Sequence, residues 1–405
     1  MQSDVGKSVL EPKKPPRVPR GGVSTGVPEE ILQDQVLVRD VAALPSNYNF
    51  ELFKTVWRVR RAGAKKVALQ MPEGLLMYAS VIGDVLKKHC NGPDVIVLGD
   101  VTYGACCVDD FSASALGCDF LVHYGHSCLV PVQSCKIPML YVFVEIHFDP
   151  KHLLDCIREE FEKGTKLALL GTIQFVATIQ ALKSELIDDF LEIIVPKARP
   201  LSPGELLGCT APQLGDVDVL VYIADGRFHL ESVMIANPTV KAYKYDPYSK
   251  AFTVEEYGHE LMMRNRLSTI VNAKSAKRFG VILGTLGRQG SLAIVNRIKA
   301  ALNAAEKEYM VVLLSELQPA KLKLMEGRVE AWIQIACPRL SIDWGMAFSK
   351  PLLTPYEAYV ALGKVEWRSQ YPMDYYAKGG GEWSNYFKPE SETVKPSRTI
   401  REGVK

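Results

Sequence analysis

KKVALQMPEG (Lys65–Gly74), running into LLMYASVIGDVLKKH (Leu75–His89), decides the fold. A short apolar run ends in a turn bearing Pro and Gly, and apolar residues then recur at i, i+3, i+4 and i+7. The reading is a buried strand, a turn and a helix with one packing face. The same order returns in KLALLGTIQF (Lys166–Phe175) with VATIQALKSELIDDF, and in FGVILGTLGRQG (Phe279–Gly290) with SLAIVNRIKAALNAAE. Each copy continues with further short apolar runs. These are DVIVLGD, DFLVHYG and MLYVFVEI in the first, EIIVP, DVLVYIADG and VKAYKY in the second, and YMVVLLSEL and AWIQIACP in the third. Runs of this length, bounded by Gly, Pro and Asp, predict parallel strands buried on both faces with helices as crossovers. The expected architecture is α/β: three repeated small α/β domains with parallel-rich sheets, over 46–150, 151–270 and 271–377. Polar, Pro- and Gly-rich ends (1–45, with a short helix around PEEILQD, and 378–405) read as largely disordered tails.

Each third of the chain also carries a cysteine in a turn-like loop: Cys106 in TYGACCVDD, Cys209 in LSPGELLGCTAP and Cys337 in ACPRLSIDWG. Cys106 and Cys209 follow their first strands at similar distances, whereas Cys337 follows the third strand of its repeat. In open parallel sheets, ligands bind outside the carboxyl ends of the strands. All three loops and the GTLGRQG turn belong to that edge, and a three-fold gathering of edges would bring the cysteines together at the centre. Three thiolates can hold an iron–sulfur cluster and leave one iron open. Free cysteine is also among the most buried residue types, so a structural thiol is the plain alternative at each position.

Composition narrows the classes. The chain has 405 residues, 47% hydrophobic and 23% charged, which exceeds one simple core. A net charge of +2 gives no broad footprint for nucleic acid, and the basic KKPPRVPRGG (Lys13–Gly22) reads as a solvated tail. No apolar run approaches the roughly 18 residues that span a bilayer, and the N-terminus lacks a secretory signal's apolar stretch. Nine unevenly spaced cysteines in a long chain argue for reduced thiols or metal ligands in the cytoplasm. Structural zinc takes four Cys/His ligands with paired local spacing, which three isolated cysteines lack. His123 and His126 in HYGHSC could complete a set or be hydrogen-bonded core residues.

LPSNYNFE, LQMPEGLL, GDVTYGACCVDD, HYGHSCL, LSPGELLGCTAP, DGRFHLESVMIANP, YKYDPYSK, ILGTLGRQG, ACPRLSIDWG and PLLTPYEA together resemble the diphthamide-biosynthesis enzymes, in their eukaryotic subunit 1 branch. The likeness runs from about Leu44 to Tyr376. It implies a [4Fe–4S] cluster held by Cys106, Cys209 and Cys337, with S-adenosylmethionine as co-substrate. Simpler members read GAC followed by an acidic or small residue, which aligns Cys106 with the ligand and leaves the adjoining Cys107 as the extra. The implied reaction is reductive cleavage of the Cγ–S bond. It leaves methylthioadenosine and adds the 3-amino-3-carboxypropyl group to C2 of a histidine in translation elongation factor 2. The implied partners are a related subunit 2, in a heterodimer, and a small reducing protein.

In this context Arg288 and Gln289 of the Gly-rich turn become candidates for the S-adenosylmethionine site, with Arg288 as a carboxylate clamp or simply a cap on a neighbouring repeat. Glu73 in MPEG is a candidate for ribose or amine contacts, or a plain helix N-terminal acid. Arg339 is a candidate donor to cluster sulfurs or substrate. Asp109 and Asp110 should begin a helix, the DGRFH loop has no assigned role, and YPMDYY (Tyr371–Tyr376) should pack against a domain or partner. A non-catalytic partner subunit is the competing reading; that type lacks the middle cysteine, which this chain keeps as Cys209. A Gly-rich nucleotide-binding module would leave the three cysteines unexplained.

Overall fold

The computed structural model describes residues 26–99 and 104–388. Three main sheets follow one another along the chain, each ordered second–first–third–fourth strand. In the first, Asp94–Leu98, Lys66–Gln70, Phe120–Tyr124 and Met139–Val142 lie side by side, all parallel. The second sets Glu192–Ile194, Lys166–Gly171, Val219–Ile223 and Lys241–Asp246 in the same order, with Ala251–Glu255 as an added antiparallel edge. The third repeats the all-parallel pattern with Glu308–Leu314, Arg278–Gly284, Ala331–Ile335 and Leu352–Leu353. The periodicity of the sequence is therefore a repeat of topology.

The local causes are ordinary. Val67–Gln70 and Leu167–Gly171 are buried on both faces, which is why they lack the polar alternation of a half-exposed strand. The helix Ala79–His89 turns Ile82, Val85 and Leu86 inward and leaves Lys87 and Lys88 in solvent. Burial of each of those three apolar side chains stabilises by roughly 1.5–3 kcal/mol. One apolar core runs through the second and third repeats and takes in Tyr371, Met373, Tyr375 and Trp383 of the C-terminal segment. The first repeat has separate cores on the two faces of its sheet.

Three expected boundaries shift. The expected N-terminal tail runs to residue 45; the short helix expected around PEEILQD is present as Glu29–Leu32, but Gln35–Val41 is helical as well, and Ile31, Leu37 and Leu44 enter the core of the first repeat. Asp34 caps the second helix through the N–H groups of Val36 and Leu37, and Asp40 accepts from His89 Nε2 at 2.8 Å. Residues 1–25 of that expected tail lie outside the described residues. At the other end Trp383 is buried, and Arg297 donates to the carbonyls of Glu382 and Ser384 at 2.9 and 2.8 Å. Order thus extends past the expected limit at 377, and residues 389–405 lie outside the described residues. The boundary at 270 falls inside the helix His259–Lys274. That helix belongs with the third repeat, because its buried Arg266 forks onto the buried Glu357 at 2.7 and 2.6 Å. Among the described residues no helix is long and apolar enough to cross a membrane.

Candidate metal centre

Cys106 and Cys209 lie between the second and third strands of their repeats, and Cys337 follows the third strand of its own and caps the helix Pro338–Trp344. Two buried glutamines hold two of these loops from below. Gln70 donates to the Cys107 carbonyl at 2.7 Å, while its Oε1 accepts from Asp109 N at 3.1 Å and pairs with His123 Nδ1 at 2.9 Å. Gln334 donates to the Cys337 carbonyl at 2.9 Å and to Ser341 Oγ at 3.0 Å, and accepts from Ala336 N at 3.0 Å. A buried amide left without partners is costly, so each glutamine fixes its loop. The Cys209 loop is closed by reciprocal Leu207–Thr210 backbone bonds, and Ser232 Oγ donates to Leu207 O at 2.6 Å.

The loops then lock on one another. Gly287 has φ +53°, and a Cβ there would stand 2.5–2.7 Å from the Cys107 backbone. Only glycine fits that conformation and that approach. Arg288 N donates to Cys106 O at 2.8 Å, and Gln289 Nε2 lies 3.5 Å from Cys107 Sγ. Gly208, beside Cys209, lies against Phe228, whose ring a Cβ would meet at 2.1 Å.

The thiols share one electrostatic environment. A hydrogen bond with Cys107 holds the Cys106 thiol well above the ordinary range, with burial and repulsion from the Cys107, Cys209 and Cys337 thiolates adding to it. Burial pushes Cys209 up to about 12, with Cys337 adding and the Thr210 hydroxyl and Arg339 opposing. Burial also pushes Cys337 up to about 11, against the backbone N–H and the guanidinium of Arg339, with Cys107 adding. The three expected cysteines, with Cys107, thus feel one another's charge. Thiols that resist ionisation because they are buried and repel one another suit a multiply charged cationic centre, which deprotonates and pairs them. Among the described residues no His, Cys, Asp or Glu group of three or more could hold a metal ion. Cysteine thiols carried by three loops are the donor type that an iron–sulfur cluster takes.

The other candidates fare differently. Arg288 does not present a free fork. Its Nε and Nη2 donate to Asp110 at 2.8 and 2.6 Å, Nη2 also reaches Ser134 O at 3.1 Å, and the guanidinium lies 4.1 Å from the centre of the Phe111 ring. The expected carboxylate clamp is corrected to a tie between the third and first repeats, because a fully buried Asp110 side chain already occupies the fork. Arg339 is likewise a tie. It donates to Asp343 at 2.9 Å, to Glu231, and to the carbonyls of Phe228 and Gly208 at 2.7 and 3.3 Å. Its backbone N–H and the charge of its guanidinium both favour the Cys337 thiolate. Glu73 is exposed and opens the short helix Glu73–Tyr78. Asp109 caps the helix Asp110–Ala115 through Ser112 N at 3.0 Å, as expected.

Two clefts lie between repeats, one of them lined in part by Cys337. One of about 500 Å³ between the second and third repeats is lined by Phe228, Gln289, Ser315, Glu316, Cys337 and Trp344, among others. The second, of about 560 Å³ between the first and second repeats, includes Gly74, His126, Glu205, Tyr222, Asp225 and His229. The DGRFH loop thereby gains a place, and Gly74, the chain neighbour of Glu73, lines this second cleft. Sequence reasoning missed Gln70, Gln334 and, most of all, Tyr375 and Tyr376. Both tyrosines are buried against the cysteines, which raise their phenols further above the ordinary range once burial has done so.

Comparison with known proteins places this geometry. The family model described as "Putative diphthamide synthesis protein" matches residues 71–372. The chain is 56% identical over 376 residues to 2-(3-amino-3-carboxypropyl)histidine synthase subunit 1 of Gallus gallus, spanning 92% of this chain and 91% of that protein. It is 54% identical over 389 residues to the Homo sapiens protein of the same name, spanning 95% and 88%. The crystal structure of Dph2 from Pyrococcus horikoshii with a 4Fe-4S cluster matches with a TM-score of 0.66 at 29% identity, over 80% of this chain and 93% of that one. With a family model covering most of its length and relatives this similar along nearly all of it, the chain belongs to the diphthamide synthesis protein family.

Proposed function

We propose that this chain is the catalytic subunit of a 2-(3-amino-3-carboxypropyl)histidine synthase. It transfers the 3-amino-3-carboxypropyl group of S-adenosylmethionine to a histidine of translation elongation factor 2, the first step of diphthamide biosynthesis. The observation that carries this reading is three cysteines, one from each repeat, that feel one another's charge in a chain of this family, with Cys209 buried and Cys106 and Cys337 partly buried. In this reading Cys106, Cys209 and Cys337 hold a [4Fe–4S] cluster, and Cys107, whose sulfur faces the Gln289 amide, does not. When bound and reduced, the cluster supplies the electron that breaks the Cγ–S bond of S-adenosylmethionine.

The protein's own part is placement. Gln70, Gln334 and the Gly287 contact set the loops that carry the thiols. The cleft beside Cys337 receives S-adenosylmethionine, with Gln289, Ser315 and Glu316 for its polar groups and Phe228 and Trp344 for adenine. Orientation in that cleft selects one of three sulfonium bonds, since cysteine ligands alone do not distinguish them. The chain works in the cytoplasm as a heterodimer with subunit 2 and takes electrons from a small reducing protein.

The test is anaerobic reconstitution with subunit 2, elongation factor 2 and S-adenosylmethionine under reducing conditions. The expected result is one [4Fe–4S] cluster on this chain, methylthioadenosine as the main product and a labelled histidine. Loss of iron and product should follow Cys106→Ala, Cys209→Ala or Cys337→Ala, while Cys107→Ala keeps most of the iron. A stoichiometric zinc site without iron overturns the cluster, predominant 5′-deoxyadenosine overturns the bond assignment, and full activity of Cys209→Ala overturns the catalytic role of this chain.

A further inference from the structure

The C-terminal segment from Tyr371 to Phe387 crosses all three repeats. Ala211 N donates to Met373 O at 2.8 Å and Lys378 N to Arg199 O at 2.7 Å in the second repeat. Arg297 of the third repeat holds the carbonyls of Glu382 and Ser384, and Tyr386 Oη donates to Leu129 O at 2.7 Å in the first. The middle of this strap runs antiparallel to the Cys209 loop. Thr210 bridges Asp374, Tyr375 N donates to Cys209 O at 3.2 Å, and Tyr376 N donates to Thr210 Oγ1 at 2.9 Å. The backbone thus delivers the Tyr376 ring to the thiols, edge-on to Tyr375 at 5.2 Å between ring centres.

Two other tyrosines of the strap have satisfied hydroxyls, while that of Tyr375, beside the Asn385 side chain, also lacks a hydrogen-bond partner among the described residues. Tyr371 Oη donates to Glu357 at 2.9 Å, and Tyr386 Oη to Leu129. Tyr376 is 7% exposed, and its hydroxyl has no hydrogen-bond partner among the described residues. Buried hydroxyls are nearly always bonded, because an orphan loses its water without compensation. The charges that this phenol feels are those of Cys106 first, then Tyr375, Cys209 and Cys337. A phenol is protonated at neutral pH, so the group is a donor. An acceptor is therefore missing on the side where the three sulfurs lie.

We infer that the Tyr376 hydroxyl donates a hydrogen bond to the sulfur assembly held by Cys106, Cys209 and Cys337, acting as a positioning residue that sets its reduction potential. The inference rests on the cluster reading above. A donor to sulfur disperses the negative charge added on reduction, so it favours the reduced form; hydrogen bonds to the sulfurs are one of the levers that set the potential of such clusters. Tyr376→Phe removes one oxygen and leaves the packing of the ring.

The experiment is a redox titration of the reconstituted full-length chain, followed by the electron paramagnetic resonance of the reduced cluster, on wild type, Tyr376→Phe and Tyr386→Phe. Tyr376→Phe should retain iron and sulfide and shift the reduction equilibrium about tenfold toward the oxidised form, about 59 mV more negative for one electron. Tyr386→Phe loosens the strap at its far end and should leave the potential in place. In wild type, electron–nuclear double resonance should find an exchangeable proton coupled to the cluster that D2O removes. A wild-type potential in cluster-loaded Tyr376→Phe, or equal shifts in both variants, overturns the inference and leaves the cluster reading standing. Absence of the exchangeable proton does the same even where the Phe variant fails to load. A wild-type chain that takes up no cluster removes both.

Discussion

Replacing Arg288 separates two roles that its position in GTLGRQG suggests. The guanidinium makes two charge-assisted bonds to Asp110 at 2.8 and 2.6 Å, and the Asp110 side chain is fully buried while that of Arg288 is about a quarter exposed (24%). Burial alone would raise the Asp110 carboxyl, yet Arg288 and the Lys136 N–H hold it below the usual carboxylate range. Arg288→Met keeps an apolar stem and removes the charge from both Asp110 and the face of Phe111, leaving that carboxylate with the Lys136 N–H at 2.5 Å. Breaking one side of a buried pair costs about 3–5 kcal/mol. The exposure of Arg288 and the surviving donor put this case at the lower end, about 3 kcal/mol. Asp110→Asn should cost less, and the double variant should recover about 2 kcal/mol of coupling. Urea unfolding of the four proteins gives the cycle, and iron per chain after reconstitution shows whether the Cys106 loop, which Arg288 N holds through the Cys106 carbonyl, has loosened. The expected outcome is lower stability, lower iron retention and a matching fall in all products. Wild-type stability and full iron content with abolished transfer would refute the tie and return Arg288 to the substrate.

Two further outcomes follow from the surroundings of the centre. Burial holds His126 and His229 down to about 4 from an ordinary 6.5, with His229 repelling His126 and Arg339 repelling His229. Both are neutral in the folded chain, so their contribution is complete above pH 6.5. It is lost as pH falls through the window to about 4, at about 1.4 kcal/mol per unit of separation between folded and unfolded values. Urea midpoints measured across that window should fall for wild type and fall less for His126→Gln; a flat wild-type profile contradicts the assignment. Gln334→Leu strands the Cys337 carbonyl, the Ala336 N–H and the Ser341 hydroxyl, a loss of about 1–3 kcal/mol for each group left unsatisfied. Iron per chain should drop although every cysteine remains, and unchanged iron after desalting would show that the loop holds its shape without the amide.

What the sequence discloses and what it conceals divide along contact distance. Val67–Gln70, Leu167–Gly171 and Phe279–Gly284 are legible because a strand buried on both faces needs a continuous apolar run, and the turn after each is punctuated by Gly or Pro. The three cysteine loops are legible because they recur at one sheet edge. Ala251–Glu255 escaped notice, since an edge strand half in solvent has neither feature. Leu37 was lost in a stretch whose Pro and Gly lie almost entirely ahead of it. The choice between clamp and cap for Arg288 stays open in the sequence because its partner Asp110 lies 178 residues away. The seat of Tyr376 is hidden in the sequence because the loop that holds it lies 166 residues away. Gln70 and Gln334 each look like a lone polar residue in a strand until the carbonyl that each one holds is seen.

The way the three repeats meet explains why no compact cysteine motif is needed. The first and third repeats are joined by Asp110–Arg288, and the second and third by Glu231–Arg339, each pair close beside a thiol loop. The first and second meet through lighter contacts, such as Gln174 Nε2 to Gly125 O at 2.6 Å and the Tyr48–Tyr248 hydroxyls at 3.3 Å, around a cleft. Sulfur-to-sulfur spacing is therefore set by domain interfaces, whereas in a motif such as CxxxCxxC one turn of chain sets it. Two consequences separate the designs. Substitutions at the arginine ties should disturb cluster retention as strongly as substitutions within the loops, because each tie fixes the position of a whole repeat. The cysteine loops can also remain short and rigid, held by Gln70, Gln334 and Gly287, since the reach between ligands is supplied by the packing of sheets and not by flexible chain.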